Sequence, residues 1–207
     1  MKRRIALSFA ISLLLLTFVA APFRAAAPAK GEALRMAMRK LWEDHITWTR
    51  LFIVSALGGL PDKAATTDRL LKNQTDIGNA VKPYYGDAAG DKLTALLKDH
   101  ILIAADIVTA AKTGDNAKLA SSKTRWTSNA DDIAQFLSSA NPKNWPLAEM
   151  KTMMHEHLAA TTTELEARLK QDWTADVAAY ENVHAQILKM ADALSDGIIK
   201  QFSAKVS

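Results

Sequence analysis

The chain has 207 residues, five histidines, no cysteine, and 26 Lys+Arg against 22 Asp+Glu. The missing cysteine excludes disulfides, thiolate chemistry and a lipid-attachment site. The length suits one domain with a full apolar core.

The opening residues read as a targeting segment. Lys2, Arg3 and Arg4 precede an uncharged apolar run from Ile5 to Ala21, and small residues follow. This is the layout of a secretory signal peptide, with the best cut after Ala27-Pro28-Ala29. The run exceeds the usual apolar length of about 7–15 residues and falls short of the about 20 of a full span. An uncleaved N-terminal anchor is therefore the alternative. Either way the basic start stays inside and the rest is exported, to the periplasm or beyond. Residues 1–29 are the leader and 30–207 a single domain. Lys2, Arg3, Arg4 and Arg24 precede the cut and no acid does, which leaves 22 basic and 22 acidic residues. A nucleic-acid binder carries a basic excess on its domain, and this balance excludes one. Membrane contact is expected only through an uncleaved leader, and no pattern identifies a protein partner.

After the leader the apolar period is helical throughout. Leu34, Met38, Leu41, His45, Trp48 and Phe52 step by four and three, the spacing of a packed helical stripe. Gly58-Gly59 stops that segment and Pro61-Asp62 restarts the chain. A second segment carries Leu70, Asn73, Ile77 and Ala80 and ends at Pro83. A third carries Leu93, Leu96, His100, Ile103, Ile107 and Ala110 and ends at Gly114-Asp115. A fourth carries Leu119, Ser122, Trp126, Asn129, Ile133 and Phe136, and ANPKNWP breaks it. A fifth starts near Leu147 and a sixth ends near Phe202. No Gly or Pro separates these two. The border is placed at Gln171-Asp172, because one helix would span roughly 80 Å and Asp172 or Thr174 is a fitting N-cap. No segment alternates like a strand. The expected fold is all-α, an up-down antiparallel bundle of three hairpins and six helices.

The hairpins repeat. LWEDHI (41–46), LLKDHI (96–101) and MMHEHL (153–158) share two large apolar residues, a carboxylate and a histidine. Leu70-x-x-Asn73-x-x-Asp76-Ile77 matches Trp126-x-x-Asn129-x-x-Asp132-Ile133. Trp173-x-x-Asp176 echoes the same phrase closer to its turn. At 1.5 Å per residue, the distances to the turns put the histidine of each first arm level with a polar residue of the second. The expectation is one polar belt of His45, Asn73, His100, Asn129, His157 and His184, with His45–Asn73 and His100–Asn129 as pairs. His184 enters on a stripe of Val177, Tyr180, Ile187, Ala191, Leu194 and Ile198. His155, roughly 200° around the helix from His157, falls outside.

Two functions fit such a belt. Bundle cores hold metals on side chains from facing helices, and imidazole suits Zn, Cu, Fe and Ni. His45, His100, His157 and His184 are the candidate ligands for a divalent transition metal, with Asn73, Asn129, Asp76, Asp132 and Glu181 as polar support. Glu181-x-x-His184 has the spacing of a di-iron bundle motif, but its second copy is missing. The alternative is a structural or protein-interaction bundle in which the belt is a buried specificity layer. Catalysis lacks a nucleophile in a recognisable setting, a phosphate loop or a Gly-x-Ser-x-Gly turn. Asp44, Asp99 and Glu156 read as solvated flank. Met36, Met38, Met150, Met153 and Met154 read as core filler, since a methionine copper site needs closer clustering. Arg50 is placed to reach Asp76 or Asp132 between hairpins.

LWEDHITWTRL, NQTDIGNAVKPYYG, DHILIAADIVTAAKTGD, RWTSNADDIAQFLSSANP and DGIIKQF together resemble a bacterial family of small all-helical proteins. The likeness covers nearly all of the chain after the leader. It implies a helical fold and supplies no reaction. Some relatives carry acetylglutamate-kinase-type names, which imply an α/β fold with glycine-rich loops that this sequence lacks.

Overall fold

The computed structural model describes residues 30–206; the expected leader at 1–29 lies outside them. Six long helices follow one another: α1 (Lys30–Gly58), α2 (Lys63–Tyr85), α3 (Asp87–Thr113), α4 (Asn116–Ala140), α5 (Leu147–Leu169) and α6 (Trp173–Gln201). A single turn, α7 (Ser203–Val206), ends the chain. No strand occurs among the described residues, and no described helix is long and apolar enough to cross a membrane.

Each helix packs on the next, and α6 closes back on α1. The result is a closed up-down ring in which α1, α3 and α5 run one way and α2, α4 and α6 the other. Such a ring has one interior, and a residue on the inner face of any odd helix meets the other two odd helices there. Met38, Ile46, Ile53, Leu70, Ile77, Ile133, Ile187 and Ile198 fill that interior with almost no exposure.

The boundaries follow local chemistry. Asp115 caps α4 by accepting from the Lys118 N–H (2.9 Å), and Asp172 caps α6 by accepting from the Ala175 N–H (3.0 Å). Both exploit the unpaired amides at a helix start. Gln171, at φ 59°, turns the chain between α5 and α6, so the border lies at the expected Gln171-Asp172. α2 continues to Tyr85, two residues past the expected stop at Pro83.

The α2–α3 crossing depends on glycine. A Cβ on Gly78 would lie 2.5 Å from the Gly90 carbonyl oxygen, and a Cβ on Gly90 would lie 2.6 Å from that of Gly78. The two backbones are in contact, and neither atom belongs to a side chain that can swing away. Near the same end of the ring, a Cβ on Gly197 would collide with the Trp145 indole, whose Nε1–H donates to the Ala193 carbonyl (3.1 Å). Alanine inside a helix ordinarily stabilises by roughly 0.5–1 kcal/mol over glycine. Gly78→Ala is expected to do the reverse and cost about 1–3 kcal/mol through overpacking. Urea unfolding of the variant reads the sign, and a stabilised Gly78→Ala would show that the helices do not touch there.

Candidate functional site

The odd helices bring three histidines together. The His45 and His157 ring centroids are 5.8 Å apart, and those of His100 and His157 are 6.2 Å apart. All three side chains are buried, at 3, 3 and 5 % exposure.

The even helices hold this layer in place through side-chain amides. Asn129 Nδ2 donates to the Leu96 carbonyl (3.1 Å), and its oxygen lies 2.8 Å from His100 Nδ1. Gln186 Nε2 donates to the Met153 carbonyl (2.8 Å), and its oxygen lies 3.2 Å from His157 Nδ1. Leu96 and Met153 each stand four residues before the histidine. Because each amide NH₂ is committed to a carbonyl, its oxygen faces the ring and only accepts. Nδ1 of both rings therefore carries the proton, and the neutral tautomer leaves Nε2 with its lone pair. Among the described residues no protein group hydrogen-bonds those two Nε2 atoms.

The first hairpin is an incomplete copy. Asn73 Nδ2 donates to the Leu41 carbonyl (3.0 Å), again four residues before the histidine. Its oxygen, however, accepts from Gln74 Nε2 (3.2 Å) rather than from His45. His45 Nδ1 and Gln74 Oε1 are left buried without hydrogen bonds. Trp42 stands edge-on to His45 and Trp126 lies against His100, with ring centroids 5.5 and 5.1 Å away. Both indole N–H groups are buried and unpartnered, as is the Thr161 hydroxyl one turn beyond His157.

Several expectations are corrected. His184 is outside the layer: it is part-exposed and meets Glu43 Oε1 at 2.8 Å. The buried stripe of the first half of α6 is Asp176, Ala179 and Val183, one residue out of step with the expected one, and Val177 is exposed. The belt position on α6 belongs to Gln186, 29 residues after His157 as Asn129 is 29 after His100. His45 does not pair with Asn73. Glu181 and Asp132 are exposed, and Asp76 sits on the outer face with Lys72 and Arg69. Asp99 and Glu156 are exposed and Asp44 meets Lys40 and Arg69, as flank residues should. His155 is exposed beside Asp131 (2.9 Å).

Arg50 does bridge hairpins, but towards other acids. It donates to Glu164 (2.9 Å) and binds Asp176 with both terminal nitrogens, while Arg168 donates to Asp176 (2.7 Å). Both acids are 1 % exposed. Burial pushes the Asp176 carboxyl up, but the two guanidiniums outweigh it and hold it below the ordinary range. Burial wins at Glu164 and raises it, against Arg50. Asp176 thus belongs to an ion network and not to the asparagine phrase it resembles. Removing Arg50 strands the buried Glu164 carboxylate and leaves Asp176 to Arg168 alone. Arg50→Met is expected to cost about 3–5 kcal/mol in urea unfolding; a loss under about 1 kcal/mol would mean that the network behaves as a surface pair.

Neutrality of the histidine layer is enforced by its surroundings. Burial, and then His157, push His100 down to about 3. Burial pushes His157 down to about 4, with Gln186 opposing. His45 lies well below the ordinary value through burial, then His157 and His100. The sign of the stability effect follows. Below pH about 6.5 the unfolded chain takes up protons that the folded layer refuses, so the fold weakens as pH drops. Each histidine contributes a slope of up to about 1.4 kcal/mol per pH unit, full between its unfolded and folded pKa values. Urea midpoints at pH 7 and 5.5, above the carboxylate range, are expected to fall accordingly. His157→Leu should remove about one third of the slope. Equal stability at the two pH values would mean that the rings are not held neutral.

The fold and site define a closed six-helix ring with a triple-histidine layer at mid-height. No protein-family model matches this chain, and neither a curated protein nor a solved structure matches it.

Proposed function

We propose that this protein is an exported helical bundle that binds a transition-metal ion through Nε2 of His45, His100 and His157. One observation carries the reading: Nδ1 of His100 and of His157 is tied to a side-chain amide oxygen, which leaves the other nitrogen as a lone pair. Metal-ligating histidines are held in this way, by a second group that fixes the tautomer. The rings are neutral at pH 7, so a cation displaces no proton. They stand too far apart to share an ion as they are, and no described group of three His, Cys, Asp or Glu residues is preformed for one. On a tetrahedral ion with M–N near 2.0–2.1 Å, ring centroids lie about 5 Å apart. Binding therefore requires the rings to turn and draw in by about 0.5–1 Å.

That wide spacing favours a second reading, a specificity layer. Each amide also clamps a carbonyl of the neighbouring helix and so fixes the register of its hairpin. Metal analysis of the untagged protein, with thermal unfolding against Cu⁺, Zn²⁺, Ni²⁺ and Fe²⁺, separates the two. A ligand at a hundredfold its Kd adds about 2.7 kcal/mol, a rise of roughly 5–10 °C for a domain of this size. The rise should vanish in His100→Leu. No bound metal and no rise with any ion, together with a more stable His100→Leu, would make the layer architecture alone.

A further inference from the structure

The charge balance around the three rings points further, and we infer that the ion they take is monovalent and soft: Cu⁺, with Ag⁺ as its redox-inert counterpart. The inference rests on the metal reading above and names the class of ion for that same site.

Three imidazoles bring no negative charge. The acid before each histidine lies outside the core, with Asp44 part-buried beside Lys40 and Arg69 and with Asp99 and Glu156 exposed. Among the described residues the buried acids are Glu164 and Asp176, and Arg50 and Arg168 already neutralise them. An ion among the rings would have no counter-charge. The cost of taking an ion out of water grows as the square of its charge, so a divalent ion pays about fourfold what a monovalent one of equal size does. Divalent ions on three histidines relieve this by keeping an open position for water or hydroxide. The space beside this layer is small and mostly apolar. On one side of the layer is an apolar cavity of about 30 Å³ reaching Phe52, Leu70 and Leu165. On the other is one of about 20 Å³.

The second cavity also carries soft donors. Met38, Met154 and Met190 line it from α1, α5 and α6, together with Trp42, which packs on His45. The clustering that the linear sequence lacks is made by the ring. Met154 stands one turn before His157 on the same helix, nearer along its helix to a triad histidine than Met38 is. Thioether donors select Cu⁺ over harder ions. A three-coordinate planar ion also spaces ring centroids at about 5.5 Å, closer to the 5.8 and 6.2 Å present than a tetrahedral ion would.

The test is a set of anaerobic titrations of the untagged protein with Cu⁺ against a chromophoric Cu⁺ chelator, and with Ag⁺, Zn²⁺ and Co²⁺ in parallel. The wild type should bind one Cu⁺ or Ag⁺ at least about a hundredfold more tightly than Zn²⁺. His157→Leu should lose that binding, and if it does not fold, Ag⁺-induced shifts of the histidine ¹⁵N signals in the wild type replace it. Met154→Leu, a volume-conserving change, should fold and weaken Cu⁺ roughly tenfold. Unchanged Cu⁺ affinity in that variant removes Met154 from the site. Histidine-dependent Zn²⁺ or Co²⁺ binding as tight as Cu⁺ overturns the charge argument and leaves the metal reading standing. Binding of no ion at all removes both.

Discussion

The structure turns on one repeated device, a side-chain amide on the second arm of each hairpin that clamps a backbone carbonyl on the first. Asn73 reaches Leu41, Asn129 reaches Leu96 and Gln186 reaches Met153, across 32, 33 and 33 residues. An amide buried in an apolar bundle has to find partners, and the carbonyls one turn before the histidines supply them. The pairing sets the height of one arm against the other. With three hairpins in one ring, equal heights deliver three imidazoles to one layer. Helix propensity and burial make the bundle; the clamps decide what meets inside it.

Much of this was legible because its signals are local. Apolar period, glycine stops and N-cap aspartates act within a few residues, so the six helices and even the break at Gln171 could be read from the chain. The common height of His45, His100 and His157 was readable too, from a shared phrase at a shared distance from each turn; that the rings meet was not, because it depends on how the helices close into a ring. Gln186 was not, because a glutamine near a helix middle has no pattern of its own, while His184 two positions earlier drew the stripe to itself. The two candidate stripes on α6 differ by one step. Choosing between them requires knowing that Asp176 is buried, and a buried aspartate reads as surface until Arg50 and Arg168 are seen to hold it. Applying the 29-residue spacing of His100 to Asn129 from His157 would have reached Gln186 directly.

Unsatisfied groups are not spread through the core. Apart from a nitrogen of Arg69, the buried side-chain atoms without hydrogen bonds among the described residues belong to Trp42, His45, Gln74, Trp126 and Thr161. Every one lies within about a turn of the clamp layer. Elsewhere the interior keeps the usual rule: Asn141 donates to Gly197, Trp145 to Ala193, and the arginines answer the acids. A native core tolerates few orphaned polar atoms, and each asks for a reason. Their gathering at one height, between two apolar cavities, marks the layer as the part of the molecule that stability alone does not explain.

Within that layer the three copies are not equivalent. Turning the ring of His100 or His157 breaks a hydrogen bond to an amide whose other end is fixed on a carbonyl. Turning His45 breaks no such clamp, since Asn73 gives its oxygen to Gln74. The layer thus consists of two rings held by clamps and one that no clamp holds. Any rearrangement that draws the rings closer falls first on His45, and the unpaired Gln74 oxygen beside the layer is an acceptor that a turned ring can use. The repeat that opens with LWEDHI is therefore the copy whose histidine can move, and its incompleteness is a property of the layer as much as the two finished clamps are.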